Sequence, residues 1–146
     1  MSESDASTVA VENFVLCEWA SWDEFQRPTI HGLLQKIEVP RLPDVRDVIG
    51  VIFDVWAPPS TTVALRVLVE GPPGCKPFSE PREFLLPIPA DGIRGVGATL
   101  EHLELTAEGV YSVSIVHEGR AIARRRFRVL VVQKPGFGTT TTATLQ

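Results

Sequence analysis

The chain has 146 residues, of which 44% are hydrophobic and 22% charged, with a formal net charge of −4. That length suits one domain, and a core burying about 70% of the unfolded surface needs neither a metal nor a disulfide as a staple. The acidic balance argues against a general nucleic-acid binder, whose affinity comes from neutralising phosphates.

Residues 1–10 are acidic and polar with no apolar period, and read as a disordered tail. An export signal would need a basic start and an apolar stretch, and neither is present. No apolar run approaches the roughly 20 residues of a membrane span. The expectation is a cytoplasmic protein without a membrane partner. Cys17 and Cys75 lack metal-ligand spacing and are expected as free thiols.

From residue 11 onward the dominant period is two. Val15, Cys17 and Trp19 begin a strand, and residues 30–39 hold another with a break near Gln35-Lys36. Between them, a short helix within residues 22–27 is the most helix that the pattern allows. Ile49, Val51, Phe53 and Val55 line one face of a strand whose other face carries Ile52 and Trp56, so both faces are expected to be covered. Val63, Leu65, Val67 and Val69 alternate with polar residues, as a half-buried strand does. Phe84, Leu86 and Ile88 repeat the pattern, but Pro87 and Pro89 assign that strand to an edge. Residues 96–105, then Tyr111, Val113 and Ile115, then residues 121–132 complete the set. Pro, Gly and Thr in residues 133–146 give no face to bury, so a flexible tail follows. The folded unit is residues 11–132.

About eight strands at intervals of a dozen residues, without crossover helices, predict an all-β antiparallel sandwich. Its large aliphatic inner faces leave little room for a ligand cavity.

Two segments carry a resemblance. One is Val15-Leu16-Cys17-Glu18-Trp19 with Ile30-His31-Gly32-Leu33-Leu34 and Val39-Pro40-Arg41-Leu42-Pro43. The other is Glu108-Gly109-Val110-Tyr111-Ser112-Val113-Ser114-Ile115 with Glu118-Gly119. In order and spacing the chain resembles a family of small, uncharacterised bacterial single-domain proteins. The resemblance implies an immunoglobulin-like β-sandwich and brings no activity or site with it.

No nucleophile elbow, phosphate loop or zinc motif is present. His31, His102 and His117 fall on different strands, so no metal and no cofactor are expected. Tyr111 is expected to bond its hydroxyl back to the preceding corner, with Gly109 leaving space for that approach. Gly119 follows Glu118 in a two-residue hairpin loop. Beyond that loop, one extra residue between Ala123 and Arg126 would return Phe127 to the core side. Either Arg124 or Arg125 then points inward and must find a carboxylate or backbone carbonyls.

Two features stand out as candidate binding sites. Trp19, Trp22 and Phe25 are expected in a loop between the first two strands. They read either as an exposed platform for a sugar or partner, or more simply as a plug folded over one end of the core. Arg120, Arg124, Arg125, Arg126 and Arg128 put five cations and no acid into nine residues, while the remainder holds nine basic and eighteen acidic residues. Arg126 and Arg128 are the candidates for docking an acidic protein partner, with edge protection as the structural alternative. The function expected is that of a non-enzymatic module that binds a protein partner and not nucleic acid. Carbohydrate or small-ligand binding through the Trp19, Trp22 and Phe25 segment is the first alternative, and an enzyme whose site forms only in the tertiary structure is the second.

Overall fold

In the computed structural model, residues 8–77 and 82–132 are described. The tail expected at residues 133–146, and most of that expected at residues 1–10, lie outside them. Nine strands form among the described residues, with no helix: β1 (Ala10–Trp22), β2 (Pro28–Leu33), β3 (Lys36–Val39), β4 (Asp44–Trp56) and β5 (Thr62–Glu70), then β6 (Arg82–Pro87), β7 (Ile93–Leu105), β8 (Gly109–His117) and β9 (Arg120–Val131). One sheet has the order β2-β1-β4-β7 and the other β3-β9-β8-β5-β6.

The ninth strand comes from residues 30–39, which divide into β2 and β3 on different sheets. β2 turns back along β1, pairing Trp19 with His31 and Cys17 with Leu33. The chain then crosses over, and β3 runs parallel to β9, with Lys36 opposite Arg128 and Val39 opposite Val131. This is the one departure from an antiparallel sandwich. Ile37 and Val39 are both buried, so four residues anchor the crossing.

Alternating side chains fill the space between the sheets. Val63, Leu65, Val67 and Val69 of β5 meet Ile49, Val51, Phe53 and Val55 of β4 in one core that also takes Tyr111, Phe127 and Val129. Phe14 meets Phe53 edge-on, with ring centroids 6.0 Å apart. Each fully buried Leu, Ile, Val or Phe contributes about 1.5–3 kcal/mol by leaving water. Ile52 is buried outside this core, on the outer face of β4, whereas Trp56 on that face is exposed. β6, which carries Pro87, does lie at a sheet edge.

No helix forms at residues 22–27. Asp23 organises a turn there instead: its Oδ1 accepts from Phe25 N and Arg27 N, both at 2.8 Å. A carboxylate that satisfies two backbone donors offers the chain an alternative to a helical turn.

The β8–β9 hairpin closes through Glu118 and Gly119, at φ 52° and 78°, the left-handed pair that matches strand twist. Its bulge comes earlier than the alternation predicts. Val116 faces Ala121 and Ile115 faces Ala123, so Ile122 is the extra residue. A slip beside the turn lets both Ile122 and Ala123 pack against the core. It also sets Phe127 opposite Tyr111, with the rings stacked at 5.4 Å.

Tyr111, at the start of β8, donates its hydroxyl to Ala107 O at 2.8 Å. A tyrosine so placed, with the parallel pairing of β3 and β9 and the two-sheet order, makes this an immunoglobulin-like β-sandwich. The close approaches differ from those read in the sequence. A Cβ at Gly109 (φ 136°) would meet the Pro72 ring at 2.9 Å, and a Cβ at Gly71 would meet Tyr111 Cε2 at 2.8 Å. Gly71 therefore makes room for the tyrosine, and Gly109 makes room for Pro72.

Candidate functional site

The early bulge sorts the arginines of β9. Arg125 lies opposite Val113 and on the inner side, where its Nε donates to Phe14 O at 2.6 Å. Arg124, Arg126 and Arg128 take the outer side, opposite Ser114, Ser112 and Val110. Alternate residues of a strand stand about 6.7 Å apart, so these three form an evenly spaced ladder. Lys36, beside Arg128 on β3, lengthens its basic end.

Small side chains on β8 leave the ladder standing over a groove of about 490 Å³ lined by Glu70, Ser112, Arg124 and Arg126. Arg124 donates from Nε to Ser114 Oγ at 3.2 Å and thereby covers a buried hydroxyl. Among the described residues, Arg126 and Arg128 form no ion pair. Arg120 sits at the hairpin end, opposite His117.

The aromatic candidates lie on the other sheet, and the expectation of a plug is overturned. Trp19 and Trp22 belong to β1 itself; they are 55% and 42% exposed, and Phe25 in the turn is 68% exposed. None of the three joins the core. The reason is geometric: β1 stops pairing with β4 at Cys17 opposite Gly50, whereas its pairing with β2 runs on to Trp22. The β1–β2 hairpin thus parts from β4, which runs on to Asp44 beside β7, and it brings the Trp22 ring over Gly97.

Each indole rests on the protein through one side. Trp19 stacks on His31 with centroids 3.7 Å apart and planes 10° from parallel, and His31 Nε2 lies 3.3 Å from Ser21 Oγ. The Trp22 ring covers Gly97 of β7 so closely that any Cβ there would collide with it. Phe25 is flanked by the Arg27 guanidinium, 5.0 Å from its centroid. Beside the two indoles runs a groove of about 600 Å³ over Gly50, Ile52, Gly95 and Gly97. Sequence reasoning missed this groove. The signal available was Gly95-Val96-Gly97, because glycines inside a strand mark a close approach.

Both cysteines are free. Cys17 is fully buried, and desolvation, with the Glu18 carboxylate next, pushes its thiol above the ordinary value. Cys75 accepts at Sγ from Thr106 Oγ1 at 3.2 Å, close to the Tyr111 corner. Among the described residues, no group of His, Cys, Asp or Glu could hold a metal ion. Among them too, no helix is long and apolar enough to cross a membrane.

The sequence pattern of a family of unknown function (DUF6941) matches residues 12–130. The chain belongs to that family. The matched span runs from β1 through most of β9, and so takes in both the ladder and the aromatic groove. No curated protein matches the chain.

Among solved structures, the alkylpurine DNA glycosylase AlkC of Pseudomonas fluorescens, bound to DNA containing an abasic site analog, has a TM-score of 0.54 at 9% identity. The likeness covers 85% of this chain and 31% of that one. A β-glucosidase from Listeria innocua has a TM-score of 0.49 at 8% identity, over 86% of this chain and 17% of its own. An immunoglobulin-like protein from Pseudomonas aeruginosa has a TM-score of 0.46 at 13% identity, over 85% and 98%. This member of the DUF6941 family thus spans under a third of the first two. At such identities the likeness to AlkC speaks to the fold alone, because one sandwich hosts many functions.

Proposed function

We propose that this DUF6941 domain is a non-enzymatic binding module that docks an extended acidic segment of a protein partner along β9. The observation that carries this reading is the ladder of Arg124, Arg126 and Arg128, none of whose guanidiniums forms an ion pair among the described residues, on a chain of net charge −4. Edge protection is redundant at Arg128, because β3 pairs with β9 from Arg128 to Val131, whereas Arg124 and Arg126 precede that pairing. An extended segment repeats its side chains at the same spacing as the ladder, so acids at alternate positions meet successive arginines. Guanidinium forks suit carboxylates in this role.

The test is fluorescence anisotropy with a labelled peptide of alternating Glu and Gly, run beside a labelled DNA duplex. Replacing Arg126 and Arg128 together with Ser should weaken peptide binding about fivefold, as two exposed pairs of about 0.5 kcal/mol each imply. Affinity should fall as the screening length shortens from about 10 Å at 0.1 M salt to about 3 Å at 1 M. Binding that the double replacement leaves unchanged overturns the reading. So does a duplex that binds more tightly than the peptide through the same arginines.

A further inference from the structure

The groove between the β1–β2 hairpin and the outer face of β4 and β7 is independent of the arginine ladder, which lies on the other sheet. We infer that it is a binding site for a neutral saccharide, held by the Trp22 and Trp19 rings and by the Glu18 and Arg94 side chains.

Its floor is stripped of side chains. Gly50, Gly95 and Gly97 lie on the outer face, with Ile52 as the buried apolar residue among them. Cys17 Sγ and the Trp22 ring fill the space over Gly50 and Gly97, so the backbone a ligand can approach is the stretch at Gly95. The Trp22 ring is set against Gly97, and Trp19 against His31, so each indole has one side backed and stands partly exposed. A sugar ring presents C–H groups on its face, and a fixed indole receives that face with little ordering cost. The volume of about 600 Å³ lies within the range of small-ligand sites.

The charged groups select the ligand class. Glu18 is held by Arg46, and Arg94 by the Pro87 carbonyl at 2.9 Å, so both are anchored before any ligand arrives. Asp54, held by Asn13 Nδ2 at 2.8 Å, lies 3.6 Å from the Cβ position of Gly95. Glu18 and Asp54 against Arg46 and Arg94 sum to no net charge, and both guanidiniums are already bonded, which suits a neutral ligand better than a phosphate or carboxylate. The carboxylates keep unused acceptor sites, which call for donors. A saccharide offers a hydroxyl at nearly every carbon. A proline-rich strand, which also suits aromatic grooves, offers few N–H donors.

The experiment follows tryptophan fluorescence and calorimetric heat as the full chain is titrated with maltotetraose, cellotetraose and chitotetraose. Glucose 6-phosphate, adenosine and a proline decamer serve as comparisons. At least one neutral tetrasaccharide should bind, and Trp22→Ala should weaken it by about tenfold or more. Trp56→Ala, which removes an exposed indole elsewhere on β4, should leave the affinity unchanged. Should Trp22→Ala fail to fold, Gly97→Ala tests the same geometry, because its Cβ displaces the Trp22 ring without deleting it, and it should weaken binding comparably. Failure of all three tetrasaccharides to bind overturns the assignment. So does tighter binding of any comparison ligand, or an affinity indifferent to both Trp22→Ala and Gly97→Ala. None of these results bears on the acidic peptide and its arginines.

Discussion

The Tyr111 hydroxyl both donates to Ala107 O at 2.8 Å and accepts from Ala107 N at 3.3 Å. One side chain thereby satisfies the two backbone groups of a residue at the β7–β8 corner. Tyr111→Phe keeps the ring and its stack on Phe127 but leaves both groups short of a partner, at a cost of about 1–2 kcal/mol. Burial is the main reason that the phenol titrates above its ordinary value of 10.0; the backbone at Ala107 opposes the shift, and Cys75 adds to it. Because the folded value is raised, the stability tied to the neutral phenol is complete below pH 10. It is lost as pH rises from there through the folded value. Tyr111 is the chain's one tyrosine, so phenolate absorbance reads it alone. The native midpoint should lie above that of the unfolded chain. The stability gap between the wild type and Tyr111→Phe should narrow above pH 10. A native midpoint at or below the unfolded one would contradict the corner geometry.

Among the elements, the β1–β2 hairpin depends most on a single carboxylate. Asp23 binds Phe25 N and Arg27 N through one oxygen and Arg27 Nε through the other, at 2.7 Å. The hydrogen bond from the Arg27 backbone is the chief reason that its carboxyl sits below the ordinary value of 3.8. A depressed value means that the turn is held above pH 3.8 and released as pH falls through the folded value. Fluorescence of Trp19 and Trp22 should therefore change with a midpoint below 3.8 while far-UV circular dichroism of the sandwich persists. Asp23→Ala should abolish that step; an acid transition at which both signals move together would show that the hairpin has no separate stability. The sequence reveals this element less well than β5 or β8, whose polar outer faces make the alternation plain. In β1 the pattern stays the same from Val15 to Trp19, yet its pairing with β4 ends at Cys17. Where pairing stops is a tertiary fact. The same limit applies to β3, since four residues with two buried fit either sheet, and only the crossing decides. The ladder was legible because charge and period-two spacing are both local. Its exact register was not, because a bulge at Ile122 and one between Ala123 and Arg126 bury the same Phe127. The groove escaped notice because Trp22 and Gly97 lie 75 positions apart.

At the scale of the molecule, two sheets must stay aligned, and an arginine spans the gap on each side. Arg125 of β9 donates across the gap to Phe14 O of β1. On the opposite side Arg94 of β7 donates to Pro87 O of β6. Each side chain thus joins one sheet to a carbonyl of the other, and apolar packing between the sheets is insensitive to such alignment. A charged donor on a carbonyl is worth more where water is scarcer. The Arg125 bond, which is partly buried, should matter more than the Arg94 bond, which is exposed. Arg125→Met should cost about 1–2 kcal/mol and Arg94→Met about 0.5–1 kcal/mol. In thermal melts that is about 3–6 °C and about 2–3 °C for a domain of this size. The two sites share no partner, so the double variant should lose the sum to within about 0.5 kcal/mol. Replacing Arg126 and Arg128 together with Ser should move the melting temperature by about 1 °C or less, because exposed, unpaired charges add little to folding. Equal losses from Arg125→Met and from the Arg126 and Arg128 pair would reduce the inner arginine to one more surface charge. A double variant no worse than Arg125→Met alone would mean that the sheets are held at one side only.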